Sequence, residues 1–387
     1  MISLALRHAR FRWGRTLMLC ACVFVIAGLP MISRSVVASF EDSLRDRAST
    51  VPLLVGSAGS RFDLVLAGLH WRTSQLKPIP LGIVDDIRSE PGVMAIPVHV
   101  RFRARGIPIA AVPYEYFEFR RLVAKDGRLV AGLGEVVLGS SAAKQLKLRP
   151  GDELPSDQLR SYDITAPSAV MLNVVGVLNE TGTPDDRAVF VDLETAWVLE
   201  GIAHGHEDAA SVTDPQKLIG KSDERVALSG AVIEYQRIDE STVSSFHLHG
   251  DRAELPVTAI LVFPSNEKTS AIVRTRMNAD PTRQALSPSV ISEELIGSVL
   301  RVRRVVDAIS VVVGVAMLGL LVLVALLTFR ARASEVQTLL EIGASRTQVL
   351  ILFLVEFVGV IAIGFIAAIF AAWVSSGASD QILTLFT

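Results

Sequence analysis

The sequence predicts a membrane protein: an α-helical bundle of three transmembrane spans, with one large α+β extracytoplasmic domain between span 1 and span 2. Its 387 residues are 50% hydrophobic and have a mean hydropathy of +0.43, which is more apolar than soluble domains of this length. Three long apolar runs provide the predicted spans. Roughly 270 residues separate the first two runs, enough to bury an ordinary hydrophobic core.

The first apolar run, Leu17 to Ser33, is expected to leave the cytoplasm. The segment before it has no acidic residue and carries Arg7, Arg10, Arg12 and Arg15. The positive-inside rule therefore puts the N-terminus in the cytoplasm, and the basic segment is predicted to be an elbow helix on the inner leaflet. The alternative is a signal peptide cleaved before Cys22. It would have an h-region of about five apolar residues, where about 7 to 15 are needed.

The second and third runs are both long enough to span. Ala308 to Phe329 carries no charge, and Val349 to Val374 carries only Glu356. With an outward first helix, the second returns inward and the third leaves again. The predicted organisation is an elbow and transmembrane helix 1 (1–33), an outer domain with stalk helices (34–307), transmembrane helix 2 (308–329), a cytoplasmic segment (330–348), transmembrane helix 3 (349–374) and an extracytoplasmic tail (375–387).

The outer segment mixes short strands with short helices. Apolar runs bounded by Gly and Pro predict strands at Val93–Phe102, Ile107–Val112, Glu135–Leu138, Ala169–Leu178 and Ala188–Val191. Helical periodicity predicts helices at Leu81–Ser89, Ser140–Leu146 and Leu193–Leu199. Both cysteines, Cys20 and Cys22, lie in the first apolar run, so no disulfide is expected in the outer domain.

The sequence lacks the patterns that identify several classes of enzyme. The chain has no G-x-x-x-x-G-K-[S/T], G-x-S-x-G or H-E-x-x-H pattern, so it is expected not to be an enzyme by itself and to hold no cofactor of its own. Its net charge of −2 gives no indication of nucleic-acid binding.

Two segments of the outer domain resemble the MacB-type periplasmic core domain. They are GEVVLGSSAAKQLKLRPGDEL (134–154) and VVGVLNETGTPDDRAVFVDLETAW (174–197). The first predicts a strand, a helix capped by Ser140, and a turn at Pro150-Gly151-Asp152. In this order and between membrane helices, the two segments resemble the MacB/FtsX-like ABC-transporter permease family. The resemblance implies a bacterial inner-membrane protein with a periplasmic domain.

The loop between the second and third spans predicts a short amphipathic helix, with Ser334 as N-cap and Gly343 at its C-terminal end. From the residues alone, a solvated connector with a lipid-facing stripe is equally consistent. The loop is similar to the family's coupling helix, R-x-x-E-(I/V)-x-x-L-x-x-(I/L)-G-A-S. The matching residues are Arg332, Glu335, Val336, Leu339, Ile342, Gly343, Ala344 and Ser345. The resemblance implies that this helix docks on a separate ATPase subunit, which binds the ATP.

The third span matches the family through an inward glutamate and glycines: Glu356, Gly359 and Gly364. An ionisable group at this depth usually faces protein or water. The alternative is an interfacial glutamate that snorkels to the cytoplasmic surface. The family's fourth span is expected to be missing, since residues 375–387 are too few to cross a bilayer.

Four of the seven histidines form two H-x-H pairs, His204/His206 and His247/His249. Positions two apart on a strand share a face within reach of one metal ion, and imidazole suits zinc or copper. The alternative is a polar loop and a separate strand that never meet.

The function implied by the resemblance is that of a permease subunit, which transmits ATP-driven motion of the separate ATPase to its periplasmic domain for export or lipoprotein extrusion. Its implied partners are the cytoplasmic ATPase, a second permease in a homodimer or heterodimer, a periplasmic adaptor and membrane lipid. The alternatives are an FtsX-like regulator of a periplasmic partner that transports nothing, and a metal-responsive membrane sensor.

Overall fold

The structure is a computed structural model that describes residues 13–73, 76–157, 169–205, 218–222, 225–228, 238, 242–248 and 250–385. These residues divide into two compact units: an outer unit, Arg45–Glu293, and a membrane unit formed by the described parts of 1–44 and 294–387.

The described part of the chain forms long helices in the membrane unit and a mixture of short helices and strands in the outer unit. The helices are α1 (Trp13–Ser49), α2 (Arg61–His70), α3 (Gly82–Arg88), α4 (Tyr114–Arg120), α5 (Ser140–Leu146), α6 (Leu193–Leu199), α7 (Glu267–Asn278), α8 (Pro288–Ala331), α9 (Ala333–Glu341) and α10 (Arg346–Leu385). The strands are β1 (Leu53–Ser57), β2 (Ile79–Pro80), β3 (Val93–Val98), β4 (Arg103–Ala104), β5 (Ile107–Ala111), β6 (Ala124–Gly127), β7 (Glu135–Leu138), β8 (Glu153–Pro155), β9 (Met171–Leu178), β10 (Val189–Val191), β11 (Ala203–Gly205), β12 (Leu218–Ser222), β13 (Arg225–Leu228), β14 (Phe246–Leu248), β15 (Pro256–Val257), β16 (Ala259–Pro264) and β17 (Arg283–Leu286).

Two main sheets organise the outer unit. One is antiparallel in the order β17-β1-β16-β3. The other is mixed, in the order β4-β5-β10-β7-β9-β6, with β8 also paired to β9. The α+β prediction is therefore confirmed, and the predicted strands and helices fall within a few residues of the observed ones.

The predicted cap at Ser140 is wrong. Ser140 is the first residue of α5, and Gly139 occupies the cap position without a side-chain hydrogen bond. Gly139 has an extended backbone, and a Cβ there would collide with the backbone of Asp185 and Asp186. A glycine is needed because the turn that carries these two aspartates lies directly against it.

Among the described residues, three helices are long and apolar enough to cross a bilayer: Thr16–Ser49, Pro288–Ala331 and Arg346–Ser375. Helices α1 and α10 pack closely, since a Cβ at Gly364 would lie 2.7 Å from the Cβ of Val23. The helices run past the predicted span limits: α1 continues to Ser49, and α10 continues to Leu385 through the predicted tail. The direction of each span stays a prediction.

Candidate functional site

The segment predicted to couple to an ATPase forms helix α9 and the turn that leads into α10. The predicted cap at Ser334 is wrong, because the cap position is held by Arg332 and Ser334 lies inside the helix. Gly343 follows the helix with φ +97°, the left-handed conformation that ends helices and favours glycine. Ser345 then begins α10: its hydroxyl accepts from the Gln348 amide at 3.3 Å, and the Gln348 side chain accepts from the Ser345 amide at 2.9 Å. This is a reciprocal capping box.

Arg332 and Glu356 form a buried ion pair inside the membrane unit. The Arg332 side chain is 2% exposed and the Glu356 side chain 12%. Two hydrogen bonds join them, Nη1 to Oε2 at 2.6 Å and Nη2 to Oε1 at 3.3 Å. The guanidinium also lies 5.4 Å from the centre of the Phe353 ring. Glu356 therefore faces protein, and the snorkelling alternative does not hold in this structure.

The predicted coupling residues differ in their exposure to solvent. Arg332 points inward and fastens the start of α9 to α10, whereas Ile342 is 75% exposed. Ser345 is exposed, and Val336 and Ala344 are half-buried. The side chains of Glu335 and Leu339 lie outside the described part of the structure. Docking on an ATPase stays a prediction for all of these residues.

The outer unit contains a second, larger polar network centred on Asp185. Arg47, near the end of α1, pairs with it through Nη1 to Oδ2 at 3.0 Å and Nη2 to Oδ1 at 2.8 Å. The Trp71 indole and the Tyr116 hydroxyl donate to Oδ1 at 3.0 and 2.8 Å, and Arg120 donates to Oδ2 at 3.2 Å. We call these five residues the Asp185 network.

The Asp185 network is excluded from water. The side chains of Arg47 and Asp185 are 4% and 0% exposed. Arg47 also donates to the Leu69 carbonyl at 2.9 Å and to the Tyr116 hydroxyl at 2.7 Å, so each nitrogen of its guanidinium has a partner. Burial alone would raise the pKa of Asp185, but the charges of Arg47 and Arg120 hold that pKa below its usual value. The network thus joins the end of α1 to α4 and to the turn after β9.

Sequence reasoning missed the Asp185 network. Asp185 follows a proline in a Thr-Pro-Asp-Asp turn, a context typical of a solvated surface, and Arg47 lies in a run of alternating charges. The one signal was Gly139, whose missing side chain makes room for the turn.

His70 lies beside this network at the end of α2. Its Nε2 is buried and has no hydrogen-bond partner among the described residues. Burial and the nearby positive charge of Arg47 lower the pKa of His70 to about 3. The folded protein therefore holds His70 neutral where an unfolded chain would protonate it.

The structure brings together the two strands that carry the H-x-H motifs. Strands β11 and β14 pair antiparallel, with His204 directly opposite His247. The alternative in which the two segments never meet is therefore wrong. His206 and His249 lie outside the described residues, and the described residues contain no group of three or more metal-ligating side chains.

The family model of the MacB-like periplasmic core domain matches residues 17–221, more than half of the chain. No curated protein matches the sequence. Among solved structures, the extracellular domain of the noncanonic ABC-type transporter YknZ from Gram-positive bacteria is similar at 11% identity and a TM-score of 0.33. The match covers 60% of this chain and 98% of that domain.

The Asp185 network yields a first prediction. Asp185→Asn keeps the side-chain size but leaves the buried guanidinium of Arg47 without its carboxylate, so the outer unit should lose about 3–5 kcal/mol of unfolding free energy. Urea unfolding of the full chain in detergent, followed by Trp71 and Trp197 fluorescence in a Trp13→Phe/Trp373→Phe background, measures this loss. Lys144→Ala, which breaks an ion pair exposed on both sides, is the control and should change little. Equal effects of the two variants would refute the assignment.

The second prediction concerns acid. Because the folded pKa of His70 is below its unfolded value of about 6.5, the unfolded chain binds more protons and stability falls as pH drops through this range. The slope should approach about 1.4 kcal/mol per pH unit below pH 6. Protonation of Asp185 lowers the stability further only near and below its unfolded pKa of about 3.9, because its folded pKa is lower still. His70→Gln should therefore flatten the profile between pH 6 and 4.5, whereas His247→Gln, at an exposed site, should not.

The third prediction tests the Arg332–Glu356 pair. Glu356→Gln should destabilise the membrane unit by about 3 kcal/mol, because a buried guanidinium loses its counter-charge. Arg332→Glu/Glu356→Arg should recover part of that loss. Thermal unfolding in detergent measures both, with Arg34→Ala, at an ion pair 62% exposed on the arginine side, as control. If the double variant Arg332→Glu/Glu356→Arg unfolds at the same temperature as Glu356→Gln or at a lower one, the two side chains do not pair directly.

Proposed function

The chain belongs to the family of the MacB-like periplasmic core domain, and we propose that it transmits ATP-driven motion from a separate ATPase subunit to its outer unit. Its class is that of an ABC-transporter permease. The single observation that most supports transmission is the buried Arg332–Glu356 pair, because it makes α9 move with α10 rather than as an independent loop.

The predicted coupling segment has an exposed apolar residue just after α9. The first turn of α9 is fastened inward by Arg332, while Ile342 beyond its end is exposed. The centre of a protein–protein interface is typically apolar and its rim polar. We propose that this end of the coupling segment contacts the ATPase in the cytoplasm.

The proposed path to the outer unit uses the long helices. Helix α1 runs from Trp13 to Ser49 and α8 from Pro288 to Ala331, each without a break. Arg47, two residues before the end of α1, is held by the Asp185 network. A displacement of α1 would therefore act on the outer unit through a buried charge pair.

The proposal includes a location and partners. We place the chain in a bacterial inner membrane, with its N-terminus in the cytoplasm and its outer unit in the periplasm. It would act with a second permease chain, as a homodimer or heterodimer, and with a periplasmic adaptor.

The test of this function is purification from native membranes in mild detergent, with mass spectrometry of the proteins that remain bound. A P-loop ATPase in the eluate is the expected result. Its reproducible absence would overturn the proposal. A periplasmic hydrolase together with the ATPase would instead favour a regulator that does not transport.

A fourth prediction locates the contact. Glu335→Lys should reduce ATPase co-purification and stimulation at least about tenfold, since charge reversal in an interface costs about 1.4 kcal/mol or more. Gly343→Pro should do the same, because proline cannot adopt the φ of +97° that Gly343 has. Glu341→Lys makes the same charge reversal on another face of α9 and is the matched control. If Glu341→Lys lowers binding as much as Glu335→Lys does, the effect is not specific to the docking face.

A further inference from the structure

We propose that Arg301 and Arg304 of α8 bind the phosphate group of an anionic phospholipid at one edge of the bilayer. The two arginines belong to a group of charged residues at the ends of two predicted spans. Arg34 directly follows the apolar run of α1, and three arginines precede the apolar run of α8. We call this group the arginine cluster: Arg34, Arg301, Arg303, Arg304 and Asp307.

The arginine cluster marks one boundary of the hydrocarbon layer. The Nε atom of Arg34 lies 3.9 Å from Oδ1 of Asp307, so the end of the first apolar run lies beside the start of the second. The other ends of the two runs also meet, because Leu19 and Phe329 line one cavity. Neither run carries a charge. Charged side chains directly next to a hydrocarbon layer lie at the level of the lipid headgroups, where the phosphates are.

Positive charge exceeds negative charge in the cluster. Four arginines share one carboxylate, since Asp307 is the only acidic residue between positions 295 and 329. Two of the arginines approach this carboxylate only to 3.9 Å, which is too far for a hydrogen bond. Arg301 donates to the Ser298 hydroxyl at 2.9 Å, and Arg304 has no hydrogen bond or ion pair with any described residue. Both guanidinium groups therefore have donors left for an anion.

The exposed face of α8 combines these two arginines with apolar residues. Positions three and four apart lie on one face of a helix, so Arg301 and Arg304 share a face with Val305, Val312 and Val315. All five side chains are exposed. Guanidinium groups bind phosphate through two parallel hydrogen bonds, and the valines continue from the arginines into the apolar run. A ligand with an anionic head and apolar chains matches both parts of this face.

The orientation proposed above makes these arginines unusual. With the N-terminus in the cytoplasm, the cluster faces the outer leaflet, where the positive-inside rule disfavours lysine and arginine. An anionic lipid offers a physical reason for their presence, because each basic residue near a membrane surface strengthens the attraction to anionic lipid about fivefold. A bound headgroup would also fix the depth of α1 and α8, the two helices that lead to the outer unit in the proposed mechanism.

The test is native mass spectrometry of the full chain, purified in a neutral detergent and titrated with phosphatidylglycerol or with phosphatidylcholine of the same acyl chains. The first phosphatidylglycerol should bind at least about tenfold more tightly than phosphatidylcholine. Arg301→Gln and Arg304→Gln should each lower the affinity for phosphatidylglycerol about fivefold. The double variant should bind the two lipids with affinities that differ by no more than about twofold. Thermal unfolding in detergent checks that each variant is folded.

Two further variants separate this site from a general effect of charge or folding. Arg330→Gln is the matched control, because Arg330 is an exposed arginine at the opposite end of the same apolar run. It should leave the affinity for phosphatidylglycerol within about twofold of the native value. Asp307→Asn removes the carboxylate of the cluster and should raise that affinity about fivefold. Misfolding would not produce a gain in affinity.

Several outcomes would overturn the proposal. Equal affinities of the native chain for the two lipids, or native affinity for phosphatidylglycerol in the double variant, would do so. Displacement of the lipid by millimolar inorganic phosphate would show that the cluster binds a soluble phosphate instead. A native dimer that becomes monomeric in the double variant, with unchanged lipid affinity, would assign this face to a second copy of the chain. None of these outcomes depends on whether an ATPase co-purifies, so the proposed function is tested separately.

Discussion

The outer unit depends on one buried charge pair, Arg47 with Asp185. Removing either charge from water is costly, and the pair is tolerated because every polar atom has a partner: the Leu69 carbonyl, the Tyr116 hydroxyl, the Trp71 indole and a second arginine, Arg120. The members of the network come from α1, from α2 and the residue after it, from α4 and from the turn after β9. The helices and the mixed sheet must therefore be in place together before the network can form.

The two ion pairs share a design. Arg332 caps the start of α9 and pairs with Glu356 on α10, while Arg47, near the end of α1, pairs with Asp185 in a turn. In each case a bidentate arginine fixes the end of one helix to a neighbouring element. Hydrophobic contacts between helices can slide by small steps, but a buried ion pair that separates leaves two unsolvated charges. A helix held by such an ion pair therefore resists small displacements relative to the element it is paired with.

Local patterns were enough to predict most of the elements. Glu135–Leu138 and Leu193–Leu199 were found with their observed limits because a strand or short helix has a short-range signal. Gly343, the left-handed glycine that follows α9, was predicted for the same reason. Long-range pairing carried no such signal. Nothing in the sequence near Asp185 marks it as buried. The position of Glu356 in its span is consistent both with a protein-facing and with an interfacial side chain. The pairing of His204 with His247 joins strands that are more than 40 residues apart in sequence.

The division within the coupling segment bears on the proposed mechanism. A residue that docks on a partner has to be free to change contacts, whereas a residue that transmits motion has to keep them. Arg332 is 2% exposed and bonded twice to Glu356, so it fits the second role, although its sequence motif suggested the first. Ile342, which is 75% exposed, fits the first. In the proposed mechanism, the motif therefore combines two functions: its apolar end receives the ATPase, and its arginine passes the displacement to α10.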